Sequence, residues 1–211
     1  MTREAAAVTE AAELPKLLRR PTLGWVLLVC GIAGLLASFM LNLEYLHLLT
    51  DRDAALICDI NPFVTCGPAM LSSAAAIFGF PNVVVGLVSF TVVITTGVVL
   101  LTGVQLPRWY FIALQLGLIG AAVMITYLQI FSVFELGKLC LWCMIIWAFT
   151  IPLVALVTIS NLGYGVVGEA AVPLGERLGQ WAWVVVALWY LIVIAMIGVG
   201  MGQEFILAFR Y

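Results

Sequence analysis

Charge is what this sequence lacks. Only 9% of its 211 residues are charged, while 64% are hydrophobic; soluble domains carry about 25% charged residues. A soluble fold of this size could not bury so much apolar surface. Histidine is nearly missing as well, with His47 alone, which weakens any metal-site reading. No basic patch marks a nucleic-acid binder, no internal repeat is present, and the net charge of −2 says nothing about partners. The first twenty residues, "MTREAAAVTEAAELPKLLRR", mix acids with bases. They lack the shape of a signal peptide, and no small-residue cleavage site closes the apolar run after them.

What is present is long uncharged runs. None of residues 21–43, 60–107, 109–134, 139–168 and 178–203 is charged. A bilayer-spanning helix needs about 20 such residues. Five spans follow, near 22–43, 82–104, 109–131, 139–159 and 181–203, because Pro62, Pro68 and Pro81 break the first third of the 60–107 run. The fold class is an all-α integral membrane protein of one transmembrane domain, 22–211, behind a cytoplasmic tail, 1–21. Lys and Arg concentrate on the cytoplasmic side of membrane proteins. With the N-terminus inside, that side holds Arg3, Lys16, Arg19, Arg20, Arg108 and Arg177, against Arg52, Lys138 and Arg210 outside. The connection across 160–180 is rich in glycine and reads as a flexible inner loop. The outer loop, 44–81, is too apolar for a solvated segment and is expected to fold back onto the bundle, with a short surface helix from about Pro68 to Phe78.

Five cysteines remain: Cys30, Cys58, Cys66, Cys140 and Cys143. Cys30 lies alone in the first span and reads as a small buried hydrophobe. The other four fall on the outer side, where disulfides persist. Cys140 and Cys143 open the fourth span as "CLWC". At helical rise their Cα atoms stand about 5 Å apart, within disulfide range. A helix N-terminus and nearby Lys138 would favour thiolate at the first cysteine, which suits exchange more than a static crosslink. Cys140 would sit at the boundary, within reach of a protein dithiol, and Cys143 a turn deeper, toward lipid-soluble reactants. Three readings compete: a two-pair redox relay, two structural disulfides, and a four-cysteine metal site. The Cys58–Cys66 spacing is wider than metal-binding pairs usually show, so no metal is expected. A non-catalytic protein with structural disulfides, such as a small transporter subunit, is the alternative from another class. Transporters usually carry ionisable residues inside their spans, and none lies mid-span here. Asn82, near the start of the second span, needs a partner for its amide, either a ligand carbonyl or the helix end after Pro81. Ser72 could cap the loop helix, and Asp59 could orient the loop.

"CDINPFVTCG", then "SSAAAIFGFPNVVVG", then "CLWC" at the head of a span resembles the vitamin K epoxide reductase family in its bacterial five-span form. The resemblance covers roughly residues 23–155. The other quinone-linked disulfide generator, the DsbB family, carries its CxxC pair first, whereas here it comes second. The resemblance implies a four-helix bundle around a quinone of menaquinone or ubiquinone type, with one peripheral helix. It implies an active-site pair, Cys140 and Cys143, with Cys143 passing electrons to the quinone, and a loop shuttle pair, Cys58 and Cys66. It places Ser72 near the active site and Asn82 against the quinone ring. Trp147 stands where animal members have a tyrosine; an indole N–H donates a hydrogen bond but cannot accept one. The function implied is disulfide formation for secreted proteins in the cell membrane, through a DsbA-like thioredoxin-fold partner. Some members carry such a domain fused after the last span. This sequence ends at Tyr211, so the partner is expected to be a separate protein.

Overall fold

The computed structural model describes residues 15–52 and 56–208, without the side chains of residues 17 and 203–208. Most of the N-terminal tail, together with Arg3 and Arg210 of the charge tally, lies outside the described residues. The helices are α1 (Arg20–Thr50), α2 (Gly67–Leu71), α3 (Asn82–Leu101), α4 (Arg108–Ile130), α5 (Leu141–Gly163), α6 (Val172–Gln180) and α7 (Ala182–Ala208). Five of them, α1, α3, α4, α5 and α7, are long and apolar enough to cross a membrane. In lipid no water pairs with the backbone, so a span must satisfy its polar groups internally, as a helix does. The protein is an all-α, multi-pass membrane protein. Pro21, Pro81 and Pro107 fall at the starts of α1, α3 and α4, where a missing N–H costs nothing.

α5 is the axis of the bundle and packs against α1, α4, α6 and α7, while α3 packs on α1. Its buried residues lie on all sides from Trp147 to its end at Gly163. Apolar burial gives helices little reason to associate in lipid, so close packing and interhelical hydrogen bonds must do so. Both are present. α1 and α3 approach so closely that a Cβ on Gly97 would lie 2.9 Å from the Gly24 carbonyl oxygen. Asn161 on α5 donates to Gln115 on α4 (2.9 Å), and Gln115 donates to Thr158 (2.8 Å). Thr96 and Tyr110 join α3 to α4 at 2.6 Å. All of these lie at the end of the bundle away from the cysteine loop.

Three details depart from the sequence expectations. α1 continues past Leu43 to Thr50, so the connecting loop is shorter than 44–81. The surface helix is split: α2 stops at Leu71, Ser72 is extended at ψ 157°, and a 3₁₀ turn follows over Ser73–Ala76. The Ser72 hydroxyl donates back to the Ala69 carbonyl at 2.7 Å and closes the first piece. The glycine-rich 160–180 stretch is largely helical rather than a flexible loop. Gly175 of α6 presses on the Gly163 backbone, where any Cβ would collide, so that glycine serves close packing.

Candidate active site

The loop after α1 is tied down residue by residue. Glu44, buried on the core face of α1 between Leu41 and Leu48, accepts from the Ile57 N–H through Oε1 at 3.2 Å. Asn61 Oδ1 accepts from the N–H groups of Phe63 and Val64 at 2.9 and 2.8 Å, an Asx turn of the kind asparagine favours before proline. Asp59 Oδ1 accepts from Thr65 Oγ1 (2.6 Å) and from the Cys66 N–H (3.2 Å). Asp59 thus orients the loop. Cys58 and Cys66 are disulfide-bonded with Cα atoms 5.9 Å apart, and both are fully buried.

A short parallel bridge joins this loop to the head of α5. The Leu139 N–H donates to the Phe63 carbonyl at 2.8 Å, and the Thr65 N–H donates to the Leu139 carbonyl at 2.9 Å. The Lys138 ammonium donates to the Pro62 carbonyl and stands 5.8 Å from the Phe63 ring centre. Cys66 and Cys140 each directly follow a bridging segment. Cys58, Cys66 and Cys140 pack in one cluster, with Cys143 against it.

Cys140 is the N-cap of α5, and its sulfur accepts from the Cys143 N–H at 3.4 Å. A hydrogen bond from the Cys143 thiol holds the Cys140 thiol below its ordinary pKa; burial opposes this, and the backbone N–H groups of Cys143 and Trp142 assist. The helix N-terminus therefore supplies part of the expected activation. Lys138 is not among the groups that lower that pKa; its ammonium is turned to the Pro62 carbonyl of the loop. Cys140 is also not at an accessible boundary: it is fully buried, packed in one cluster with the loop pair. Cys140 and Cys143 are free thiols here, as is Cys30.

Cys143 opens onto a cavity of about 90 Å³ whose walls include Leu41 and Tyr45 of α1, Met70 of α2, Asn82 of α3, Leu128 of α4 and Trp147 of α5. Ser72, Phe131 and Ser132 also face it. Apolar walls with a few polar groups and a thiol suit an aromatic ring bearing carbonyls. The volume is below the roughly 150 Å³ that takes a benzene, so a bicyclic ring needs the wall to give, and Met70 is its most pliable member. Asn82 is almost wholly buried and does not cap α3. Its Nδ2 donates to the Ala74 carbonyl (2.6 Å) and its Oδ1 accepts from the Ile77 N–H (3.1 Å). One Nδ2 hydrogen remains for a ligand. The structure thus brings Ser72, Asn82, Cys143 and Trp147 to one cavity and Cys58, Cys66 and Cys140 to the cluster above it.

Sequence reasoning passed over Glu44, Leu139 and Ser132. Glu44 was legible in principle, because its spacing from Leu41 and Leu48 puts it on the buried face. Leu139 acts through its backbone alone, which leaves no mark in a sequence. Among the described residues no group of three or more His, Cys, Asp or Glu side chains could hold a metal ion.

No curated protein matches the chain. The sequence pattern of the vitamin K epoxide reductase family matches residues 25–158, which takes in both cysteine pairs, the cavity and helices α3 and α4 whole. The chain belongs to the vitamin K epoxide reductase family.

Proposed function

We propose that the chain is a membrane thiol oxidoreductase that takes electrons from a reduced DsbA-like thioredoxin-fold protein and delivers them to a membrane quinone, of menaquinone or ubiquinone type. The observation that carries this reading is the unbroken line of four cysteines. Three are packed together under one loop, and the fourth opens onto a mainly apolar cavity.

Cys58 and Cys66 are themselves buried, so the loop must part for the partner's thiolate to attack their disulfide; resolution of that mixed disulfide leaves the loop as a dithiol and the partner oxidised. A loop thiolate then attacks an oxidised Cys140–Cys143 pair at Cys140, the member beside Cys66, and Cys143 leaves as the thiolate. The second loop thiolate resolves the mixed bond, restoring the loop disulfide. Two electrons and two protons now reside on Cys140 and Cys143. A quinone accepts both, and the pair returns to the disulfide. Asn82 and Trp147 orient the ring, Ser72 closes the cavity wall, and the surrounding side chains exclude water. Strongly oxidising thioredoxin-fold donors lie near about −120 mV, so the acceptor must lie above that for the relay to run forward. The active site faces the outer side of the plasma membrane, with the N-terminus cytoplasmic.

The test uses fully reduced protein mixed anaerobically with a short-tailed quinone. Quinone absorbance is followed while free thiols are counted by mass-tagged alkylation after unfolding. The expected result is one quinone consumed per dithiol, four thiols lost and Cys30 left free. Quinone unchanged with all thiols retained would overturn the reading. Cys143→Ala should abolish quinone loss.

A further inference from the structure

Resting on the quinone reading above, we propose that Ser132 is a further ring-binding residue, its hydroxyl donating a hydrogen bond to one quinone carbonyl. Ser132 lines the same cavity as Cys143 and Asn82, and only 7% of its surface is exposed. Several hydroxyls on these helices are occupied by the backbone one turn earlier: Thr91, Thr95, Thr96, Thr126 and Thr150 each donate to the carbonyl four residues before, while Ser38 on α1 is unpartnered but does not line the cavity. That back-bonding is the ordinary fate of a helical hydroxyl in an apolar setting. No hydrogen bond engages the Ser132 hydroxyl among the described residues, although its own carbonyl accepts from Gly137 and Lys138.

The reason is local geometry. At Phe131 the helix widens into a π-helical turn that runs to Leu136 and ends at Gly137 in the left-handed region, φ 61°. Such widened turns occur mostly as single interruptions of α-helices, frequently at functional sites. A hydroxyl left without a partner in the wall of a mainly apolar cavity has no acceptor within the protein, so the acceptor it can use is one that arrives with the ligand. A quinone carbonyl oxygen is that acceptor.

Position supports the assignment. α3 and α4 are joined at the far end by Thr96 and Tyr110, and at this end both contribute walls to the cavity. Asn82 and Ser132 therefore approach a ring from different helices, with Cys143 supplied by α5. When the Cys140–Cys143 dithiol becomes a disulfide, two electrons and two protons pass to the ring and its oxygens become hydroxyls. Charge builds on those oxygens during the transfer, so a donor already aimed at one of them stabilises the reduced side of the step.

The experiment compares full-length Ser132→Ala and Ser132→Thr with the unchanged protein in quinone reduction and in the infrared carbonyl bands of bound quinone. Removing a neutral hydrogen bond should raise the KM for quinone roughly three- to tenfold and move one carbonyl band to higher frequency. Ser132→Thr should keep both near their original values. Exchange between the loop pair and Cys140–Cys143 should proceed unchanged in all three. Unaltered KM and carbonyl bands in Ser132→Ala overturn the proposal, as does a Ser132→Thr variant equally impaired with no band shift, which would mark a packing role. If the unchanged protein reduces no quinone, the oxidoreductase reading fails and this inference falls with it. If it reduces quinone and only the Ser132→Ala comparison is flat, the inference alone is lost.

Discussion

Cys140 caps its own helix with a sulfur, in the position where serine or aspartate usually serves. The cap makes the thiolate the better acceptor, and the Cys143 thiol reinforces it. In reduced protein the first thiolate should therefore appear, by ultraviolet absorbance, below the ordinary thiol pKa of about 8.5. Cys143→Ala should move that titration upward, and an unmoved curve would mean the Cys143 thiol is not the donor. The sign for stability follows: a depressed folded pKa stabilises the reduced fold fully above the unfolded thiol's pKa, and that contribution is lost as pH falls through the folded value. Asn82 gives a second prediction at this scale. Asn82→Ala strands the Ala74 carbonyl and the Ile77 N–H, each unmade bond costing about 1–3 kcal/mol, so thermal unfolding in detergent should come several degrees earlier and quinone reduction should fall. Cysteine spacing was legible in the sequence because both thiols sit within one helical turn. The use of Asn82 was not, because its partners are backbone groups placed by a loop whose path no local pattern fixes.

α5 carries Pro152 in its interior. Proline has no N–H, so the Ala148 carbonyl loses its intrahelical partner. Within a membrane that group has no water to turn to. The Tyr190 hydroxyl, from α7, donates to it. The two elements are thus matched, and the match is testable by a double-mutant cycle. Tyr190→Phe should destabilise the protein by about 0.5–2 kcal/mol in reversible unfolding. In a Pro152→Ala background, where the substitution restores the helical N–H, the same change should cost nearly nothing. Equal costs in both backgrounds would show that Tyr190 acts through packing alone. The helices themselves were readable from charge-free length. Their partners were not: the glycines that let α1 meet α3, and the tyrosine that answers a proline, are meaningful only once two helices lie side by side.

Across the whole molecule the two ends differ in kind. One end gathers the cysteines, the hydrogen-bonded loop and the cavity. The other begins α1 and α4 and holds α6, and it carries Lys16, Arg19, Arg20, Arg108 and Arg177. Arg20 is sandwiched there, 3.6 Å from the Phe111 ring centre and 4.2 Å from that of Tyr164, and Arg108 Nε donates to the Val166 carbonyl at 2.8 Å. Positive charge held against the bundle in this way fits a cytoplasmic face, and a disulfide relay belongs on the other, where reducing pools do not reach it. The order of charge along the chain was enough to suggest that polarity, because each short connection alternates sides. A cysteine-free background allows it to be measured. Ile60, 61% exposed on the cysteine loop, and Val104, 55% exposed in the turn between α3 and α4, are each replaced by cysteine and treated in intact cells with a membrane-impermeant maleimide. Ile60→Cys should label without lysis, and Val104→Cys only after it. The reverse pattern would place both cysteine pairs in the reducing compartment, where the loop disulfide would be held open and the relay could not run as an oxidant.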